Sequence, residues 1–348
     1  MPVTIADLWT PDVWISEMKE RQATFPSLFN AGVVTRSDLF DALASGPGTS
    51  VNIPMFKDIT DQADEIQVED TEPTTDNGQP TGLMVAAPCN RVSKNSSTAL
   101  AAAVSGADPV GSITGQMTER RLKQRQKTLV AVLRGICGTA GAANAAAPLS
   151  AVRVGGTTAE PFDESGNDAT SSQVVSPDLF IDAKYLLGEL ANDLARGVFF
   201  CHPNIKAKLE KLDADGFKTG KPSDLPFEIT TYRDVPIFTS DDLVRAGTTN
   251  GYVYDSYLIV RGTIAYGEKG QAGDTIDVAS LQFDQNKGKN NEIIYDRTRF
   301  ILHPNGMKWT GTPAGQSPTN AELQTVANWS LIYQTAKRVG IVAFRTNG

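Results

Sequence analysis

The chain has 348 residues, 40% of them hydrophobic, enough to bury a sizeable core in one large domain or two ordinary ones. Its 40 Asp and Glu against 32 Lys and Arg give a formal charge of -8, which opposes general affinity for phosphate backbones or anionic membranes and argues against a nucleic-acid reader. The opening MPVTIADLWTPDVWISEMKERQ lacks the basic start and apolar run of a secretory signal, and no stretch has the length of a membrane span, so a cytosolic chain is the expectation. Cys89, Cys137 and Cys201 stand apart without metal-type spacing and read as reduced, small core residues.

In chain order, residues 1–48 mix short helical signals (5–9 and 12–21) with the breakers Pro11, Pro26 and Gly32, a pattern that predicts an arm lying on another surface. From Val51 the hydrophobic period becomes two, and a second extended run covers 83–92. Pro54 and Pro88 keep both runs off the centre of a sheet, so the pair predicts an exposed hairpin. Between its strands, residues 58–76 hold eight acidic side chains and no Lys or Arg. Standing alone, such a run is a solvated loop tip.

The stretch from Asp108 to Gly138 predicts one long helix over 109–137, with Asp108 as N-cap, Pro109 at the first helical position and Gly138 as the stop. At 1.5 Å per residue it is about 43 Å long. Leu122, Leu129, Leu133 and Ile136 share one apolar stripe, while Arg120, Arg121, Lys123, Arg125 and Lys127 make a basic flank. From Glu119 to Lys127, five basic residues face one acidic residue, a local charge of +4 in an acidic chain. The two opposite charge blocks invite pairing. The acidic side is Asp58, Asp61, Asp64, Glu65, Glu69, Asp70 and Glu72, and a projecting hairpin reaches the same helix of a neighbouring copy more readily than its own.

Short strands are expected at 151–154 and 173–175. Ser176 and Pro177 then open an amphipathic helix whose face Leu179, Ala183, Leu186, Leu187, Leu190 and Leu194 runs to Gly197. A buried strand at 198–201, a helix at 202–212 with Ile205, Leu209 and Leu212 inward, and strands at 235–239, 251–254 and 258–266 complete a compact α/β unit. Extended segments return after 275. The strongest, 292–302, runs into the turn sequence His303-Pro304-Asn305-Gly306. A helical piece at 319–329 and a last strand at 339–344 follow.

No catalytic constellation emerges. His202 and His303 each precede proline, and Cys201 and His202, as neighbours on a strand, point to opposite faces. Gly216 to Pro222 fails as a phosphate loop: it is one residue short, has proline where a hydroxyl belongs, and follows a helix. Asp213-Ala214-Asp215-Gly216 lacks the rest of a calcium loop, and GEKGQAGD has the wrong glycine spacing for dinucleotides. Trp9, Trp14, Trp309 and Trp329 are expected in core or intersubunit packing. A large folded chain with an arm, a projecting hairpin and a long rod has the parts of an assembly subunit.

That order of elements resembles the major capsid proteins of tailed bacteriophages with the Hong Kong 97 fold. The stretches VFFCHPNIKAKLEKL, DRTRFILHPNGMKW and AELQTVANWSLIYQTAKRVGIVAFRTN are similar to phage coat proteins as well. The resemblance implies an α+β fold with an N-terminal arm (1–48), an extended loop (49–97), a peripheral domain (98–176 and 275–348) carrying the spine helix, and an inserted axial domain (177–274). It further implies many copies in hexamers and pentamers, forming an icosahedral virion shell assembled in the host cytoplasm around double-stranded DNA that is not read by sequence. No enzyme activity, cofactor or membrane is implied. With about 48 residues ahead of the loop, the resemblance implies a separate scaffolding protein unless a precursor segment was removed, together with a portal and, in some shells, decoration proteins. A cellular encapsulating shell of the same fold, and more distantly an enzyme, are the alternatives.

Overall fold

The computed structural model describes residues 33–46, 48–59, 66, 78–98, 109–138, 149, 151–153, 174–220, 229–247, 251–269, 279–284 and 291–348. The described chain begins β1 (Val34–Arg36), α1 (Asp38–Ser45), β2 (Val51–Phe56), β3 (Thr81–Ala86), β4 (Cys89–Thr98), α2 (Pro109–Cys137) and β5 (Ala151–Arg153). It continues α3 (Pro177–Tyr185), β6 (Val198–Cys201), α4 (Pro203–Leu212), β7 (Phe217–Gly220), β8 (Ile229–Tyr232), β9 (Val235–Thr239), β10 (Val244–Ala246) and β11 (Tyr252–Ile259). Last come β12 (Ile264–Lys269), β13 (Ala279–Asp284), β14 (Asn291–Pro304), β15 (Met307–Trp309), α5 (Asn320–Gln324), β16 (Trp329–Leu331) and β17 (Ile341–Thr346).

Two sheets carry the molecule. In the first, β14 is the common rail: one edge pairs antiparallel with β13 from Asn291 to Asp296 and with β12 from Arg299 to Pro304, and its other edge pairs with β4 from Asn291 to Phe300. β1 adds in parallel to β12. The second sheet runs β5, β17, β11, β6, β9, β8, β7, with β10 beside β11. Pairing crosses the sequence boundaries: β12 lies in the first sheet, whereas β17 and β5 lie in the second. β2 and β3 form a hairpin, β15 and β16 a second small pair.

α2 has the predicted bounds, and Gly138, at φ 73, ends it in the left-handed region that favours glycine. Its burial differs from the one-stripe expectation. Leu129, Val130, Ala131, Val132, Leu133 and Ile136 are all buried, packed into one core with Phe200, Tyr257 and Ile259 of the second sheet, Phe300 and Leu302 of the first, and the edge-to-face pair Trp309 and Trp329. The helix threads the core between the sheets, so most of the surface of its C-terminal half meets apolar neighbours, Arg134 excepted. Leu122 is only half-buried.

Other expectations need correction. β1 and α1 belong to the first sheet and do not lie out on another surface: Phe40 and Ala44 pack on Ala265 and Ile301. The extended run 83–92 is two strands, broken at Ala87-Pro88, and β4 continues past 92 to Thr98 through a polar stretch, because β14 supplies its ladder. Residues 174 and 175 are not in a strand. α3 stops at Tyr185, where Gly188 at φ 61 admits a turn, and Gly188–Arg196 continues as a 3-10 helix with Leu186 exposed. α4 buries Ile205 and Leu209, but Leu212 is exposed. The single strand expected at 258–266 is divided between β11 and β12 by a turn at Gly262, φ 78. β14 runs through His303 and Pro304, so the turn is confined to Asn305 and Gly306.

Candidate intersubunit surface

The basic flank of α2 is woven into its own chain. Arg121 donates from Nε at 2.9 Å and Nη2 at 2.5 Å to Oδ1 of Asp296 on β14, a carboxylate only 5% exposed. Arg125 pairs with Glu268 on β12, whose other oxygen accepts from the Tyr266 hydroxyl at 2.8 Å, and the guanidinium stands 5.8 Å from the Tyr266 ring centroid. Burial pushes the Tyr266 phenol well above its ordinary range, with Arg125 opposing. Arg120 is exposed and donates to the Ser93 hydroxyl of β4, and Lys123 and Lys127 are half-buried. A flank expected to receive a neighbouring copy is thus largely a seam joining the helix to β4, β12 and β14 of its own chain. Paired buried carboxylates of this kind are costly to uncover.

Of the predicted acidic partners only Asp58 is described; Asp61, Asp64, Glu65, Glu69, Asp70 and Glu72 lie outside the described residues. Asp58 pairs with Arg338, and its carbonyl accepts from Gln334 Nε2 at 3.2 Å, so the foot of the hairpin is tied to the segment ahead of β17. Strand alternation divides the hairpin's faces. Val51, Ile53 and Ala86 are buried against α1 and the first sheet, while Phe56 on the opposite face is 74% exposed and Leu83 43%.

Two clusters were not singled out in the sequence. Arg91 on β4 is fixed by bonds to Pro318 O at 2.7 Å, Ser317 Oγ at 2.9 Å and Asn320 Oδ1 at 3.2 Å, and with Arg120, Arg121, Arg125 and Asp296 it lines a cleft of about 120 Å³. At the other end of α2, buried Asp255 of β11 accepts from Arg134 Nε and Arg345 Nε, each at 3.0 Å, and lies 3.7 Å from Arg245 Nε. Arg345 also donates to the Gly138 carbonyl, at the negative end of the helix. Neither cluster has a motif, since the partners of Arg91 in the 317–320 segment and the hydrogen-bonded partners of Asp255 lie 90 to 229 residues away along the chain and only Arg245 is close to Asp255 in sequence.

The titratable groups that might suggest chemistry are structural. His202 caps α4, accepting at Nδ1 from Asn204 N at 3.1 Å, and burial lowers its pKa with Asp241 opposing. His303 is buried with Nε2 2.9 Å from the Met307 carbonyl, and desolvation pushes its pKa down to about 4. Burial raises all three thiols, Cys89 to about 11 and Cys137 to about 12. Asp213 is held below its ordinary value, first by the Arg233 guanidinium at 2.7 Å and then by the Tyr232 hydroxyl at 3.1 Å, which makes it the anchor of a turn. Among the described residues no group of three or more His, Cys, Asp or Glu is arranged to hold a metal. Trp9 and Trp14 lie outside the described residues.

No family model matches the chain. A curated relative, the major capsid protein of Bacillus phage SPP1, is 27% identical over 347 residues, spanning 98% of this chain and 97% of that protein. Among solved structures, the capsid asymmetric unit of cyanophage Pam1 matches with a TM-score of 0.57 at 11% identity, covering 97% of each chain. The capsid of Ralstonia phage GP4 matches with a TM-score of 0.55 at 10% identity, covering 97% of this chain and 95% of that one. The chain thus shares the fold of phage capsid proteins and is similar, over nearly the whole length of both, to a phage major capsid protein.

Proposed function

We infer that the chain is the repeating subunit of an icosahedral phage head, working through contacts between copies and not through catalysis. The observation that carries this is the match with a phage major capsid protein over 98% of this chain and 97% of that one. Electron microscopy of the purified protein, alone and with its phage's scaffold, tests it: closed shells are expected, and persistent monomers in both conditions would overturn it.

The finer reading goes with that one. Copies form hexamers and pentamers around double-stranded DNA held without sequence recognition. Assembly takes place in the host cytoplasm with a separate scaffolding protein and a portal, and decoration proteins add to some shells of this kind. The arm (1–48), extended loop (49–97), peripheral segments (98–176 and 275–348) and axial unit (177–274) are the working parts. The strand pairings that carry β12 into the first sheet and β17 into the second make the peripheral and axial parts share strands.

The acidic stretch from Asp58 to Glu72 of one copy is read as meeting Arg120, Arg121, Lys123, Arg125 and Lys127 of the next, a pairing supported by their opposite charges. Because Arg121 and Arg125 hold a buried and a half-buried carboxylate at home, the variants that isolate the contact are Arg120→Gln and Lys127→Gln. The double variant is expected to fold normally yet assemble more slowly, with steeper inhibition by salt. Assembly unchanged across salt concentrations would sink the pairing.

A further inference from the structure

Four guanidiniums converge on the cleft between α2, β4 and β14: Arg120, Arg121 and Arg125 from one face of the helix and Arg91 from the strand. Among the described residues three carboxylates are at hand. Asp296 in the wall is engaged by Arg121 through two bonds, Glu268 behind it by Arg125, and Glu322, which accepts from Thr319 and Ala314, also feels the charge of Arg91. Four positive groups against three negative ones leave a surplus of positive charge in a concavity of about 120 Å³, within a protein whose formal charge is -8. A concave, partly desolvated site focuses that field.

The donors are also held in place. Arg91 cannot swing away, because the 317–320 segment accepts from it at three points, and Arg120 rests on Ser93. Gln124, exposed and one turn from Arg120, offers a neutral amide at the same wall. Fixed, planar guanidiniums beside neutral donors match the geometry of a small oxyanion.

We propose that this cleft is a binding site for an oxyanion of carboxylate or phosphate size, gripped by Arg120 and Gln124, attracted by the charge of Arg91, whose terminal nitrogens are taken up by Asn90 and the 317–320 segment, and framed by the Arg121 to Asp296 pair. A free phosphate and a carboxylate presented by a second copy offer the same chemistry, and the test separates the two sources. Inorganic phosphate is titrated calorimetrically into the unassembled full-length chain at low ionic strength, with chloride as the matched control.

One saturable site is expected. Arg120→Gln weakens it at least about tenfold, the loss of a charge-assisted hydrogen bond, and Arg120→Lys recovers part of the affinity. Gln124→Glu abolishes binding by putting a carboxylate into the cleft. Both positions are exposed, and an unchanged melting temperature verifies the fold of each variant. In the second arm a peptide of residues 58–76 competes with phosphate: displacement assigns the natural occupant to a neighbouring copy, and bound phosphate that the peptide leaves in place assigns it to the free anion. No saturable binding by the parent chain, or binding indifferent to Arg120→Gln and Gln124→Glu, would overturn the proposal.

Discussion

His303 ties the stability of the subunit to pH. Unfolded, an imidazole titrates near 6.5; inside the fold, cut off from water and bonded to the Met307 carbonyl, it titrates near 4. Between those values the unfolded chain holds more protons than the folded one. The contribution of His303 is therefore intact above about pH 6.5 and is lost progressively as the pH falls to about 4, by roughly 3 kcal/mol in all. Urea denaturation of the unassembled subunit at pH 7 and pH 5 is expected to show the loss, and His303→Gln to flatten that slope while lowering stability at pH 7. Gly135 makes a different demand. A Cβ there would stand 2.1 Å from the Leu323 carbonyl and 2.6 Å from Trp329 Nε1, whose indole donates to that same carbonyl at 2.9 Å. Gly135→Ala gains helix propensity of about 1 kcal/mol, yet is expected to destabilise by about 2 kcal/mol or more through overpacking. A variant as stable as the parent in the same denaturation assay would show that the loop around Leu323 yields.

At the scale of elements, α2 is fastened at both ends by charge and along its middle by apolar packing. Its C-terminal fastening is Asp255, which is 1% exposed and joins Arg134 of the helix to Arg345 of β17. Removing a buried carboxylate from such a cluster leaves guanidiniums unpaired and typically costs about 3–5 kcal/mol. Asp255→Ala is accordingly expected to lower the denaturation midpoint far more than Arg245→Ala, whose nitrogen is 3.7 Å away. The limits of α2 were legible in the sequence because Pro109 and Gly138 punctuate it locally. The fate of its arginines was not, since Asp296 and Glu268 lie 175 and 143 residues away and nothing local marks them as partners. The second half of β4 was illegible for a related reason: Ser93-Lys94-Asn95-Ser96-Ser97 has no apolar alternation, and only the facing β14 makes it a strand. The acidic half of the candidate contact was readable as composition alone. Its foot at Asp58, bound to Arg338, was not foreseen.

At the scale of the whole molecule, β14 has a mechanical consequence. It is laced to β4 along one edge and to β13 and then β12 along the other. A pull along its axis loads those hydrogen bonds together, in shear, whereas a pull across the sheet opens them one after another. The first sheet is therefore stiff along β14 and weak across it. Single-molecule stretching between Asn291 of β14 and Cys89 of β4, at opposite ends of their paired run, is expected to need a higher rupture force than stretching between Asn291 and Thr98, which face each other at one end, and equal forces would contradict this. A container under pressure from within would gain most from subunits whose β14 lies along the direction of greatest tension in its wall.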